Sequence, residues 1–265
     1  MTDTLIDRAD GVVTVTFNRP RKKNAINARN WADLDAVLRE VAVSPADRAL
    51  VLTGAGDTFS AGADLGGGGD PGKSSLTGGE PQAVVHEMRI VGDIIARLKR
   101  LPKPTLAVVD GVAVGVSLGL ALACDLIIAS DRARFASIFV KRGLSLDGGT
   151  SWSLPRVVGM RRAKQMAFFG EMVSAPDALA WGLINEVVPA DELRATGQAW
   201  ARRLASSPTT AVSLIKRLLD DGTMASFEQA VEEEARAQHI TYTTADVREG
   251  IAAFLERREP RFTGK

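Results

Sequence analysis

Cysteine is nearly absent. Cys124 is the one cysteine in 265 residues, so no internal disulfide can form, and its apolar surroundings fit a buried, inert thiol in a reducing cytoplasm. Histidine is almost as scarce. His86 and His239 lie far apart, which leaves no nitrogen- or sulfur-rich set for a metal. Excess charge is missing too: 33 Lys+Arg against 32 Asp+Glu give a formal net charge of +1, so nothing draws the chain to nucleic acid or an anionic membrane as its main partner. The longest apolar run, Val112 to Cys124, is broken by glycines and stops at Asp125, too short to span a membrane. Met1 to Arg8 is mostly polar and unlike a secretory signal. A cytoplasmic protein is the expectation. Nucleotide signatures fail as well. Gly111, Gly115 and Gly119 are spaced by four, not as Gly-x-Gly-x-x-Gly, which argues against a nicotinamide or flavin. Gly67 to Ser74 has the letters of a phosphate loop, but Pro71 sits mid-motif and no strand directly precedes it.

What is present is material for a core. The chain is 45% hydrophobic, enough for one large domain or two small ones. Val12 to Phe17 alternates as a strand with Val13, Val15 and Phe17 on one face, ended by Asn18-Arg19-Pro20. Trp31, Leu34, Leu38 and Val41 recur at helical spacing, with Asn30 a candidate cap and Asp33 three residues on. Ala49 to Gly54, Leu126 to Ala129 and Arg134 to Ser137 read as further strands. Val84, Met88, Val91, Ile95 and Leu98 trace one face of a long helix, with His86 off that face. Residues 66–80 are glycine-rich and low in complexity, a mobile loop whose place suits a gate over a pocket or a passive surface insertion. After Gly149 the pattern is helical except for Glu186-Val187-Val188. Ala211, Leu214, Ile215, Leu218 and Leu219 make one apolar face there, and Val247, Ile251, Phe254 and Leu255 another.

The stretch that organises the chain runs from Pro102 to Cys124. Thr105 to Val109 is a short apolar strand, Asp110-Gly111 breaks it, and from Gly115 small residues and leucines suit a tightly packed helix. A strand turning through glycines into a helix leaves the first helical N–H groups unpaired. Those donors, with the partial positive charge of the helix N-terminus, can hold an oxygen that turns negative during a reaction. Glycines used only for close packing would look the same. A second element, Phe59 to Leu65, follows the strand Ala49 to Gly54 with another glycine turn. Two such turns can supply the two donors of an oxyanion hole.

These elements come with Asn18-Arg19-Pro20, Asn24-Ala25-Ile26-Asn27, Lys103-Pro104, Cys124-Asp125-Leu126, Gly143 to Gly149, Leu154-Pro155 with Val158-Gly159, Ala180 to Ile184 and Arg248-Glu249-Gly250. Together they resemble the crotonase, or enoyl-CoA hydratase/isomerase, superfamily, in the family's order over nearly the whole chain. The resemblance implies an α/β fold: a ClpP-like spiral of β-β-α units, stacked as two roughly perpendicular sheets over residues 1–190. A helical region over 191–265 would serve trimerisation, with trimers paired into a hexamer. It implies an acyl-CoA thioester of the kind met in fatty acid metabolism, and no cofactor beyond the coenzyme A of the substrate. The basic run Arg21-Lys22-Lys23 would by itself read as a solvated loop. In the family this loop lies against the adenine and phosphates of coenzyme A, so Lys22, Lys23 and Ala25 become candidate contacts. Ala61, Ala63, Asp64, Leu65, Gly115, Val116, Phe139 and Leu144 complete the implied acyl-CoA site, although Asp64 and Asp125 also read as structural, bonding to turn amides. The backbone N–H groups of Ala63 and Val116 take the oxyanion-hole positions. Main-chain groups suffice there, so Val116, where many relatives have glycine, keeps the site while narrowing the acyl space.

The acid–base positions depart from the family's hydratases. Those enzymes hold water with two glutamates, and the two registers fall here on Gly119 and Phe139. A syn addition of water without either carboxylate is not expected. Asp147, on the Gly143 to Thr150 turn, remains. It is a candidate helix cap, and it also matches the aspartate that isomerase branches carry in this turn. One base beside an oxyanion hole is enough for a 1,3-proton shift, and burial near Phe139 and Leu144 would raise its pKa. A dehalogenase would need a histidine in place, and His86 lies too far upstream. An isomerase using Asp147 is the favoured expectation; a hydratase-like lyase of untypical mechanism and a non-catalytic acyl-CoA binder stay open.

Overall fold

Parallel strands buried on both faces set the architecture. The structure, a computed structural model, describes residues 2–65 and 81–265; the loop expected over 66–80 lies outside the described residues. In chain order the strands are β1 (Thr4–Ala9), β2 (Val12–Phe17), β3 (Ala49–Gly54), β4 (Thr105–Val109), β5 (Val112–Val114), β6 (Leu126–Ser130), β7 (Arg134–Ala136), β8 (Val173–Ser174) and β9 (Glu186–Val188). A six-stranded sheet runs β1-β2-β3-β4-β6-β9, parallel except for the β1–β2 hairpin, and a small sheet runs β5-β7-β8. In β3, Leu50 and Leu52 enter one hydrophobic cluster while Val51 enters another; in β4, Ala107 and Val109 oppose Leu106 and Val108 in the same way. Helices must therefore cover both faces.

The larger cluster lies under α1 (Ala28–Val43), α2 (Pro81–Lys99) and α3 (Val116–Ala123). In α1 the expected Trp31, Leu34, Leu38 and Val41 are all buried. The cap, however, is Asn27. Its side chain accepts from the Asn30 N–H while the Asn30 side chain accepts from the Asn27 N–H, a reciprocal box that satisfies two orphan donors. Asn30 is one turn inside, buried, and also donates to Thr4 Oγ1 at 2.9 Å. All eight residues of α3 are buried. In α2 the expected face holds for Val91, Ile95 and Leu98, but Val84 and Met88 are exposed, and Glu87 is buried in their place. His86 is exposed, as expected.

The chain continues as α4 (Thr150–Phe169), α5 (Ala175–Ala180), α6 (Leu193–Ala205), α7 (Thr209–Gly222), α8 (Phe227–Tyr242) and α9 (Ala245–Glu256). Leu193 and Ala201 of α6 cover the second face of the sheet over Val51, Leu106, Val108, Ile128 and Val188. Gly197 lets this happen: a Cβ there would lie 3.0 Å from Val108 Cγ2. The apolar faces expected on the last helices are largely solvent-facing, with Ile215, Leu219, Ile251, Phe254 and Leu255 all exposed. No helix among the described residues is long and apolar enough to cross a membrane.

Candidate active site

The two glycine turns abut. Ile26 and Ala63 form an isolated parallel bridge, in which Ile26 N–H donates to Gly62 O (2.8 Å) and Asp64 N–H donates to Ile26 O (2.9 Å). The ladder geometry then turns the N–H of Ala63 itself away from Ile26. On the other side, Val116 opens α3, so its N–H has no partner within the helix. Gly115, just before it, has φ 60° and donates to Ala136 O at 3.0 Å. Gly62, at φ 90°, faces this turn: a Cβ on Gly62 would lie 2.8 Å from Val114 O and 3.9 Å from Gly115 Cα. Only glycine suits both the backbone and the contact.

A pair of buried serines joins the turns. Ser117 Oγ lies 2.7 Å from Ser60 O and 2.8 Å from Val114 O, and it accepts from Val114 N–H at 2.9 Å. Ser60 Oγ accepts from Gly62 N–H at 3.2 Å. Neither serine is exposed. The sequence reading missed this pair, because a serine among small apolar helix residues gives no hint of a partner 57 positions away.

Asp147 is not the cap of α4. The N-cap is Gly149, with no side-chain hydrogen bond, and Thr150 donates through N–H and hydroxyl to the main-chain carbonyl of Asp147. The carboxyl is left over. Its Oδ1 is buried with no hydrogen-bond partner among the described residues, and burial pushes its pKa up to about 6. Leu144, an expected neighbour, is 53% exposed, and its N–H donates to Phe139 O. Ile95 and Val116 line the turn: a Cβ on Gly148 would meet Val116 Cγ2 at 3.1 Å and Ile95 Cδ1 at 3.4 Å. The branched side chain of Val116 thus packs on the Asp147 turn. The turn also closes over Gly119, where a Cβ would lie 2.4 Å from Gly148 O. Phe139, at the other glutamate register, is buried.

The basic loop is tied to the first turn. Lys23 O accepts from Ala61 N–H at 2.9 Å, so Lys22, Lys23, Ala25, Ala61, Ala63 and Asp64 fall in one unit. Asp64 is buried and does not serve only turn amides as expected: Arg19 reaches its Oδ2 at 2.7 Å and Lys22 at 3.1 Å. Lys23 is exposed in a left-handed turn at φ 49°, and Leu65 is exposed at the end of the first turn. Asp125 bonds a strand amide rather than the expected turn amide, accepting from Thr105 N–H at the start of β4 at 2.8 Å, and it pairs with Lys216 at 3.0 Å. Cys124 is buried, its thiol pushed up to about 12, chiefly by desolvation. No group of three or more metal-ligating side chains occurs among the described residues.

Known proteins are similar to this chain in sequence and fold. A curated relative from Escherichia coli strain K12 named 1,2-epoxyphenylacetyl-CoA isomerase is 40% identical over 96% of this chain and 96% of its own. A short-chain-enoyl-CoA hydratase from Clostridium acetobutylicum is 32% identical over 98% of this chain and 97% of its own. The crystal structure of an enoyl-CoA hydratase from Bacillus anthracis superposes with a TM-score of 0.91 at 29% identity, over 99% of this chain and 100% of that one. The family model described as enoyl-CoA hydratase/isomerase matches residues 7–265. The chain belongs to the enoyl-CoA hydratase/isomerase family, with the crotonase fold.

Proposed function

We propose that this family member is an isomerase that moves a proton along an acyl-CoA thioester, with Asp147 as the base. The observation that carries the reading is the carboxyl of Asp147: it caps nothing, its Oδ1 is buried without a partner among the described residues, and burial raises its pKa to about 6. A base poised in this range both accepts and returns a proton efficiently. The isomerase name of the Escherichia coli relative supports the same reading.

Asp147 takes a proton from C2 of a 3-enoyl-CoA. The electron pair moves onto the thioester oxygen as a dienolate, held by the N–H groups of Ala63 and Val116, each worth roughly 3 kcal/mol of barrier. The protonated carboxyl then gives the proton back at C4, the double bond ends at C2–C3, and the base is restored. No water enters the balance, which suits a chain with Gly119 and Phe139 where hydratases hold theirs. Lys22, Lys23 and Ala25 take the coenzyme A end, and no cofactor is needed.

Incubation with 3-enoyl-CoA thioesters of graded length, followed by the conjugated absorbance of the 2-enoyl product, tests this. Conjugation without accumulation of 3-hydroxyacyl-CoA is expected. A product that is chiefly 3-hydroxyacyl-CoA from a 2-enoyl substrate would favour the hydratase reading, and tight acyl-CoA binding without turnover would favour a binder.

A further inference from the structure

The Ser60–Ser117 clamp lies beside the reaction without a role in it. Ser60 stands three residues before Ala63, and Ser117 directly follows Val116. The Ser117 hydroxyl has one proton to donate, toward Ser60 O at 2.7 Å or Val114 O at 2.8 Å, and it accepts the Val114 N–H at 2.9 Å. Val114 N–H also reaches Ser60 O directly, but at 3.3 Å. Ser60 N–H ties the first turn to β5 through Val112 O at 2.9 Å, and the hydroxyl is the short link from α3, the element that carries the Val116 N–H. The second serine holds the first turn from within, through Gly62 N–H to Ser60 Oγ. Both side chains are wholly buried, so water does not readily replace a lost hydroxyl, and Val114 N–H would keep only its long bond.

We propose that the Ser117 hydroxyl is a positioning group that sets the spacing between the Ala63 and Val116 N–H donors. The inference rests on the oxyanion-hole reading above. A donor pair displaced by a fraction of an ångström still binds the thioester, yet it stabilises the developing oxyanion less, because that stabilisation depends on donors already aimed at the charge. Loss of the hydroxyl should thus lower kcat while leaving KM nearly alone, the signature of an interaction expressed in the transition state.

The test compares wild type with Ser117→Ala, and with Ser117→Cys, which keeps a side chain of similar shape and a weaker donor. Each is mixed with the saturated analogue of the turned-over 3-enoyl-CoA, labelled with carbon-13 at the carbonyl, and the thioester C=O stretch is read in the infrared. Wild type should show a downshift on binding. Ser117→Ala should lose much of it, with kcat down by about 10- to 100-fold and KM within about threefold, and Ser117→Cys should fall between; if the alanine variant does not fold, the cysteine variant carries the same comparison. A full downshift and wild-type kcat in folded Ser117→Ala would overturn the proposal, as would a raised KM at unchanged kcat. Absence of any downshift in wild type would instead remove the oxyanion-hole reading on which it stands.

Discussion

As the proposed base, Asp147 carries opposite signs in catalysis and stability. Only its charged form can take a proton, so kcat should climb with pH through about 6 and level off above. Stability runs the other way. The folded-state value is raised, so the unfolded chain loses its proton first, and stability falls as pH rises from about 3.8 to about 6. Asp147→Asn should therefore raise the melting temperature at pH 7, with the gain vanishing near pH 4. The upper bound is roughly 3 kcal/mol, reduced because the carboxyl is partly solvated. Melting curves at the two pH values check the sign: a variant less stable than wild type at pH 7 would mean that the carboxylate has a partner in the fold. Sequence alone left the cap reading open beside the favoured base. A Gly-flanked aspartate before a helix reads the same whether its side chain or its main-chain carbonyl meets Thr150.

At the scale of elements, α3 and the turn before α4 are built around the missing side chain at 119. A Cβ there would lie 2.4 Å from the Gly148 carbonyl, and backbone cannot step aside as a flexible side chain does. Gly119→Ala should cost about 1–3 kcal/mol by overpacking and lower turnover by displacing Asp147. Gly119→Glu should not create a hydratase, and appreciable hydration of 2-enoyl-CoA by that variant would contradict this packing. Asn27→Ala should cost about 1 kcal/mol of stability by opening the capping box, with no effect on kcat. Elements with a strong pattern were readable: β2 follows its alternation, β3, β4 and β6 their continuous apolar runs, and α1 its helical stripe. β1 was not, because only Thr4 of its six residues is buried and an edge strand shows no apolar face. β5 and β8 are three and two residues long; β5 merges with the apolar run into α3, and β8 is too short for a period to register. The cap of α1 was misplaced by one turn, since Asn27 and Asn30 are both plausible in sequence and only their mutual bonding tells them apart.

At the scale of the whole molecule, the last helices leave large apolar side chains in solvent. Ile215 and Leu219 of α7, Phe227 of α8, and Phe254 and Leu255 of α9 are all exposed, Phe254 to 82%. Apolar surface of this extent on a monomer is uncommon, and we infer that these helices pack on other copies of the chain, as trimers that pair into hexamers. Light scattering at micromolar concentration should give at least a trimer, and Leu219→Glu together with Phe254→Glu should shift the mass toward monomer. A wild-type monomer would contradict the inference. The helical tail and its apolar faces were legible from spacing, whereas the seating of α6 on the sheet was not: it depends on the close approach of Gly197 to Val108.

The most direct measurement is the turnover of 3-enoyl-CoA by wild type and Asp147→Asn, side by side at pH 7, with acyl-CoA affinity measured on the same preparations. Loss of the base should lower kcat by about 10²–10⁴-fold while affinity barely changes, because the groups proposed to hold the thioester oxygen belong to the main chain. A folded Asp147→Asn enzyme turning over at the wild-type rate would contradict the assignment of Asp147 as the proton-carrying group.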